Sequence, residues 1–249
     1  MFYNTEVFNK DISAWNVGKA TDMSSMFSNN KVFNAKIGDW DVGNVNNLSY
    51  IFADTSFNQN INNWDISKVS DISSMFAGNQ AFDQPLSDWD VSNVTYMIQI
   101  FAGAVAFNQD ISNWDISNVT DMRWLFNGAI EFNQDISSWD VSHVTNMLGM
   151  FGTYAGPGTK FNQDISSWDV SNVEDMSNMF QYSEFNQDIS SWNVTNVKSM
   201  WYMFWGVSNF NYDLSSWDVA NVTECKNFTH SSSVFLQENQ PNFLNCSYD

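Results

Sequence analysis

Basic residues are scarce in this chain. Nine Lys and Arg stand against 28 Asp and Glu among 249 residues, for a formal net charge of −19. Nucleic acid and anionic membrane surfaces both ask for a positive footprint, so neither is expected as a partner. Cysteine is limited to Cys225 and Cys246, too few for a disulfide-dense scaffold. Both lie in the last unit and its tail, where a single bridge would pin a terminal cap; the alternative is a buried free thiol at Cys225. No apolar run is long enough to span a bilayer, so no transmembrane segment is expected. No N-terminal stretch joins a charged start to an apolar core, as a signal peptide would. The two histidines, His143 and His230, lack metal-ligand spacing and a recurring Ser or Cys partner. Carboxylates abound, but in ladders rather than a convergent cleft, which disfavours glycosidase-like chemistry. The chain is therefore read as non-enzymatic.

Aromatic residues, by contrast, recur with a period. Trp15, Trp40, Trp64, Trp89, Trp114, Trp139, Trp168, Trp192 and Trp217 are separated by 24 or 25 residues, with one gap of 29. A fixed period of this size marks a solenoid, in which each unit buries its apolar face only against its neighbours. The unit is clearest from Phe107 to Phe126, FNQDISNWDISNVTDMRWLF. A Phe precedes each Trp by seven residues, and in the first eight units another follows by twelve. Length varies after that closing Phe, so insertions map to one loop. The longest runs from Gly152 to Lys160 and is rich in Gly and Pro.

Two periods coexist in the unit. Alternation at Trp114, Asp115, Ile116 and Ser117 predicts a short half-buried strand. Met122, Leu125 and Phe126 sit at i, i+3 and i+4, which predicts a helical turn, with Thr120 placed as its N-cap. All eleven methionines after Met1 occupy the two equivalent apolar positions, as core filler would. The expected fold class is an α/β repeat solenoid, with a parallel sheet of short strands on one face and short helical turns on the other. Its expected organisation is a remnant of an upstream repeat at 1–7, nine repeats at 8–229, and a cap or tail at 230–249. Met1-Phe2 reproduces the end of a unit, so the chain reads as beginning inside a repeat of a longer parent.

The strongest functional pattern is a row of carboxylates one residue after each Trp: Asp41, Asp65, Asp90, Asp115, Asp140, Asp169 and Asp218, with Asn16 and Asn193 completing it. A second acidic row comprises Asp11, Asp110, Asp135, Asp164, Asp188 and Asp213. Carboxylates in register at roughly 4.8 Å repel unless a cation or hydrogen bonds relieve them. The first row is thus a candidate Ca²⁺ ladder, the only cofactor in view. The competing reading is turn chemistry, each Asp accepting a nearby backbone N–H. Asn9, Asn34, Asn58, Asn108, Asn133, Asn162, Asn186 and Asn211 suggest a structural amide ladder.

The unit FNQDISSWDVSNVEDMSNMF, from Phe161 to Phe180, closely resembles the BspA-like bacterial surface-protein repeats. The same pattern is known as a domain of unknown function in mycoplasma lipoproteins. The resemblance spans residues 8 to 228 and implies a leucine-rich-repeat-like coil at the cell surface or outside the cell, with roles in adhesion. The expected function is a non-enzymatic interaction module that binds a protein or glycan on another cell or matrix. It would use the acidic face and the variable loop, with Tyr154, Pro157 and Lys160 as candidate contacts. The rivals are a structural array that self-associates into filaments or layers, and a calcium-binding repeat module.

Overall fold

The computed structural model describes residues 2–5, 7–154, 157–229 and 234–246. The repeat winds into a stack of coils, one unit to a coil, but the coils are not made of strands and helices. Among the described residues the one helical element is a 3-10 turn at Gln237–Asn239, and no strand or sheet is present. Adjacent coils meet instead in a file of one-residue parallel bridges, which runs Asp22, Asn47, Asp71, Tyr96, Asp121, Asn146, Asp175, Ser199, Glu224, with one further bridge between Thr159 and Ser183. The α/β expectation, a parallel sheet opposite helical turns, is therefore corrected.

The strand fails because turns crowd it from both sides. The Trp114 amide donates to the Ile111 carbonyl (3.2 Å), and the Val119 amide to that of Ile116 (2.8 Å). Only Trp114, Asp115 and Ile116 remain between these turns, too few to pair as a ladder. The helix fails at one residue. Trp124 has φ +55°, as do its counterparts Ser25, Tyr50, Ser74, Gln99, Asn178, Tyr202 and Asn227 within a few degrees. A left-handed residue reverses the direction of the amides around it, and no α-helix continues through one.

The amides then divide between two tasks. Those of Met122, Trp124, Phe126 and Gly128 donate to the carbonyls of Asn146, Leu148, Met150 and Gly152 in the next coil, at 2.7–2.9 Å. Those of Leu125, Asn127 and Ala129 close tight turns within their own coil, on Met122, Trp124 and Phe126. Every second N–H thus leaves the coil, whereas an α-helix would send all of them four residues back. Thr120 caps nothing: its amide donates to the Thr95 carbonyl of the preceding coil (3.0 Å), and its hydroxyl points there too. The i, i+3, i+4 spacing still places Met122, Leu125 and Phe126 in the core.

That core is a set of aromatic columns. Within a coil, opening and closing phenylalanines stack face to face, as in Phe126 on Phe132 with centroids 3.9 Å apart. Between coils the closing phenylalanines repeat at 5.6 and 5.8 Å, from Phe101 through Phe126 to Phe151. Each fully buried Phe, Ile or Met is worth roughly 1.5–3 kcal/mol of transfer free energy, and every coil supplies several. Beside the rings runs a column of indoles whose N–H reaches back one coil. Trp114 donates to the Leu86 carbonyl (3.0 Å), Trp139 to that of Ile111 (3.2 Å) and Trp192 to that of Ile165 (3.2 Å). The asparagine ladder completes the link: Asn108 Oδ1 accepts the Asn133 amide (3.0 Å) and the Gln134 side chain (2.9 Å).

Ring geometry changes at the end of the stack. Phe228, Phe235 and Phe243 leave the stacked arrangement, Phe204 meeting Phe228 edge-on at 81° and Phe228 meeting Phe243 at 69°. The segment 234–246 lies over the last coil, with the Leu214 amide on the Asn239 carbonyl (2.8 Å). Met1 of the expected N-terminal remnant and His230 lie outside the described residues.

Candidate interaction face

The acidic rows are exposed, and each member turns back on its own chain. In the first row Oδ1 accepts the amide two residues on: Gly43 for Asp41, Ser67 for Asp65, Ser92 for Asp90, Ser117 for Asp115, Ser142 for Asp140, Ser171 for Asp169 and Ala220 for Asp218, at 3.0–3.2 Å. At Ser67, Ser92, Ser117 and Ser142 the hydroxyl adds a shorter bond to the same carboxylate, at 2.6–2.7 Å. The second row repeats the arrangement, as in Asp110 with the Ser112 amide and Asp135 with that of Ser137.

At Asp11, Asp65, Asp110, Asp115, Asp135, Asp140, Asp164, Asp169 and Asp213 these bonds lower the carboxyl pKa from its ordinary range. For Asp65, Asp115, Asp140 and Asp169 the serine hydroxyl is the larger cause and the amide the second. For Asp110, Asp135 and Asp164 the amide leads. Repulsion along the row is present but smaller: Asp140 pushes Asp115 up, as the weakest of its influences. Local hydrogen bonds therefore outweigh the stacking of like charge. The rows hold their members in register without bringing them to a point, and no group of three or more His, Cys, Asp or Glu placed to hold a metal ion occurs among the described residues.

The loop residues diverge. Lys160 forms an ion pair with Glu131 (2.6 Å) between two well-exposed side chains, a contact worth little in water. Pro157 is exposed. Tyr154, 59% exposed, receives the indole N–H of Trp124 on its hydroxyl (3.0 Å). Cys225 and Cys246 are joined in a disulfide with Cα atoms 5.9 Å apart, which ties the terminal segment to the last coil.

Tyr154 belongs to a larger feature that the repeat consensus hides. A trough of about 570 Å³ runs across several coils, with Trp124 and Tyr154 at one end and Trp201 and Tyr202 at the other. Asp175, Asn178 and Gln181 line it between them, and Glu224 lines it one coil beyond Trp201. A second cavity of about 410 Å³ shares Trp201 and Glu224 and extends to Lys226 and the disulfide. Trp201 is 45% exposed, so its indole stands between two hollows. Tyr202 packs edge-on against Trp201 and Trp205, at 4.9 and 4.8 Å, and the Trp205 N–H donates to the Tyr182 hydroxyl (2.9 Å).

Two glycines make room for these rings. A Cβ at Gly149 (φ +63°) would come 2.5 Å from Trp124 Cδ1, and one at Gly206 (φ +74°) would come 2.3 Å from Tyr182 Cδ1. In each case an aromatic of one coil lies over the bare backbone of the next.

Comparison with known families gives one result. A model described as a Mycoplasma protein of unknown function, DUF285, matches residues 1–77, 52–157 and 156–242 in tandem. The chain belongs to the DUF285 family. No curated protein and no solved structure matches it. The DUF285 match accounts for the tandem repeat and carries no leucine-rich-repeat assignment. Each DUF285 window spans several coils, and the trough falls across the second and third windows. Its signal in the sequence was a departure from the DUF285 unit: Trp124, Trp201, Tyr202 and Trp205 are aromatics added beside the core positions, and Gly149 stands one coil after Trp124.

Proposed function

We propose that the chain is a non-enzymatic interaction module, displayed at a cell surface or secreted, that adheres to a protein or glycan of another cell or matrix. The observation that carries this reading is the trough. Exposed aromatic rings are held there by hydrogen bonds and by the stack beneath, so little side-chain entropy is lost when a ligand covers them. Trp and Tyr are the residues that contribute most to binding when they are packed and then desolvated. A net charge of −19 favours keeping such a chain in solution. Placement outside the cytoplasm is supported by the Cys225–Cys246 bridge, since disulfides persist in oxidising compartments.

Binding of fluorescently labelled chain to epithelial cells and to immobilised matrix proteins tests the reading. Saturable binding, reduced by Trp201→Ala with an unchanged melting temperature, is the expected result. No saturable binding by either chain would overturn the reading, and equal binding of both would place the contact outside the trough.

A further inference from the structure

The aromatic trough points to one class of ligand. A ligand that fills it must touch two aromatic ends at once. Trp124, Gly149, Asn178 and Tyr202 occupy the same position in four successive coils, so the ends lie three coil spacings apart, roughly 14 Å at about 4.8 Å per coil. A single ammonium group must sit within about 6 Å of a ring centroid to gain from it, so one cation cannot use both ends. The ligand is elongated, with flat apolar faces that recur along its length.

Charge and hydrogen bonding narrow it further. Lys and Arg are absent from the residues that line the larger cavity, while Asp175 and Glu224 line it, which turns away anions. Among the lining groups the indole N–H of Trp124 is committed to Tyr154, and the Asn178 side-chain amide donates to Gln181. The two carboxylates add acceptors. Asp175 uses Oδ1 for the Ser177 amide, and Glu224 uses Oε2 for the Ser199 hydroxyl, leaving each carboxylate a second oxygen. A guest with many O–H donors and apolar ring faces satisfies both features.

We propose that this trough binds a neutral linear oligosaccharide. Sugar rings stack on Trp124 and Trp201 and donate hydroxyls to Asp175 and Glu224, and the chain continues past Trp201 into the second cavity. The proposal rests on the interaction-module reading and gives its ligand class.

The test is titration calorimetry of the full chain with cello-, manno-, chito- and laminari-hexaose, with hexalysine as the cationic comparison. At least one hexaose is expected to bind saturably, with an affinity that hardly changes between low and high salt. Trp201→Ala should weaken it about tenfold or more without changing the melting temperature, as expected when a largely exposed stacking ring is removed. Should that variant misfold, Trp124→Ser provides the same comparison at the other end. No binding of any hexaose would overturn the proposal. So would salt-sensitive binding of hexalysine alone, which would place a cationic peptide in the trough. Cell binding that survives loss of Trp201 would refute the sugar site while sparing the adhesion reading. Hexaose binding without cell or matrix binding would do the reverse.

Discussion

Replacing Trp192 and Trp217 separately by phenylalanine should give unequal results, although the two indoles occupy adjacent coils and the same place in the repeat. Trp192 donates its N–H to the Ile165 carbonyl (3.2 Å). That carbonyl also accepts the Trp168 amide (3.1 Å), so losing the indole costs one net hydrogen bond, about 1 kcal/mol, and orphans no acceptor. Trp217 Nε1 is buried and makes no hydrogen bond, a defect worth about 1–3 kcal/mol that the substitution removes. Both variants lose the same volume from a dense core, roughly 1–2 kcal/mol. Trp192→Phe should therefore destabilise by about 2–3 kcal/mol, and Trp217→Phe by about 1 kcal/mol or less. Urea midpoints with matched slopes would read the difference, and adjacent coils share whatever fraying the end of the array allows. Equal shifts, or a larger one at Trp217, would refute the assignment of the indole column as a hydrogen-bonded link.

Four further expectations follow from the same contacts. Cys225→Ser with Cys246→Ser opens a loop with a sequence separation of 21 and should cost about 3 kcal/mol, read as a lower melting temperature that reductant reproduces in the parent chain. Stability should hold from neutral pH to about pH 5 and fall below pH 4. The carboxyls of Asp65, Asp115, Asp135, Asp140 and Asp164 are depressed when folded, so their contribution is complete above the unfolded value and is lost as pH drops through the folded ones; stability that rose on acidification would contradict this. Gly149→Ala places a Cβ at φ +63° and 2.5 Å from Trp124, so it should cost about 1–2 kcal/mol and also perturb tryptophan fluorescence; an unchanged spectrum would mean the ring does not lie there. Millimolar Ca²⁺ against EDTA should leave the melting temperature unchanged, because the Asp rows hold their own turns; a rise of several degrees would return them to metal binding.

The repeat, the inward Trp, Phe and Met columns and the asparagine ladder were legible because they depend on period and polarity alone. The backbone was not. Met122, Leu125 and Phe126 have helical spacing, yet Trp124 between them is left-handed, and single-unit periodicity has no means of seeing that. Comparing units does offer a hint, since the position is filled by Ser, Tyr, Gln, Trp, Gly and Asn and never by Val, Ile or Thr, the residues that tolerate positive φ least. The strand expectation failed for a related reason. Alternation over Trp114–Ser117 is genuine, but Ser117-Asn118 is also a turn, and the turn closes first. The acidic rows were visible, whereas their use for turns depended on the serine two residues later. The trough escaped because its aromatic ends break the consensus and are brought together only by coil stacking, in a lining that runs from Trp124 to Glu224.

The account stands on amides that cross from coil to coil. Scalar couplings across hydrogen bonds, measured by NMR on the deuterated chain, detect those pairs directly. Couplings from the amides of Met122, Trp124 and Phe126 to the carbonyls of Asn146, Leu148 and Met150 are expected. Couplings from the same amides to carbonyls four residues earlier in their own coil would restore the helix and contradict the account.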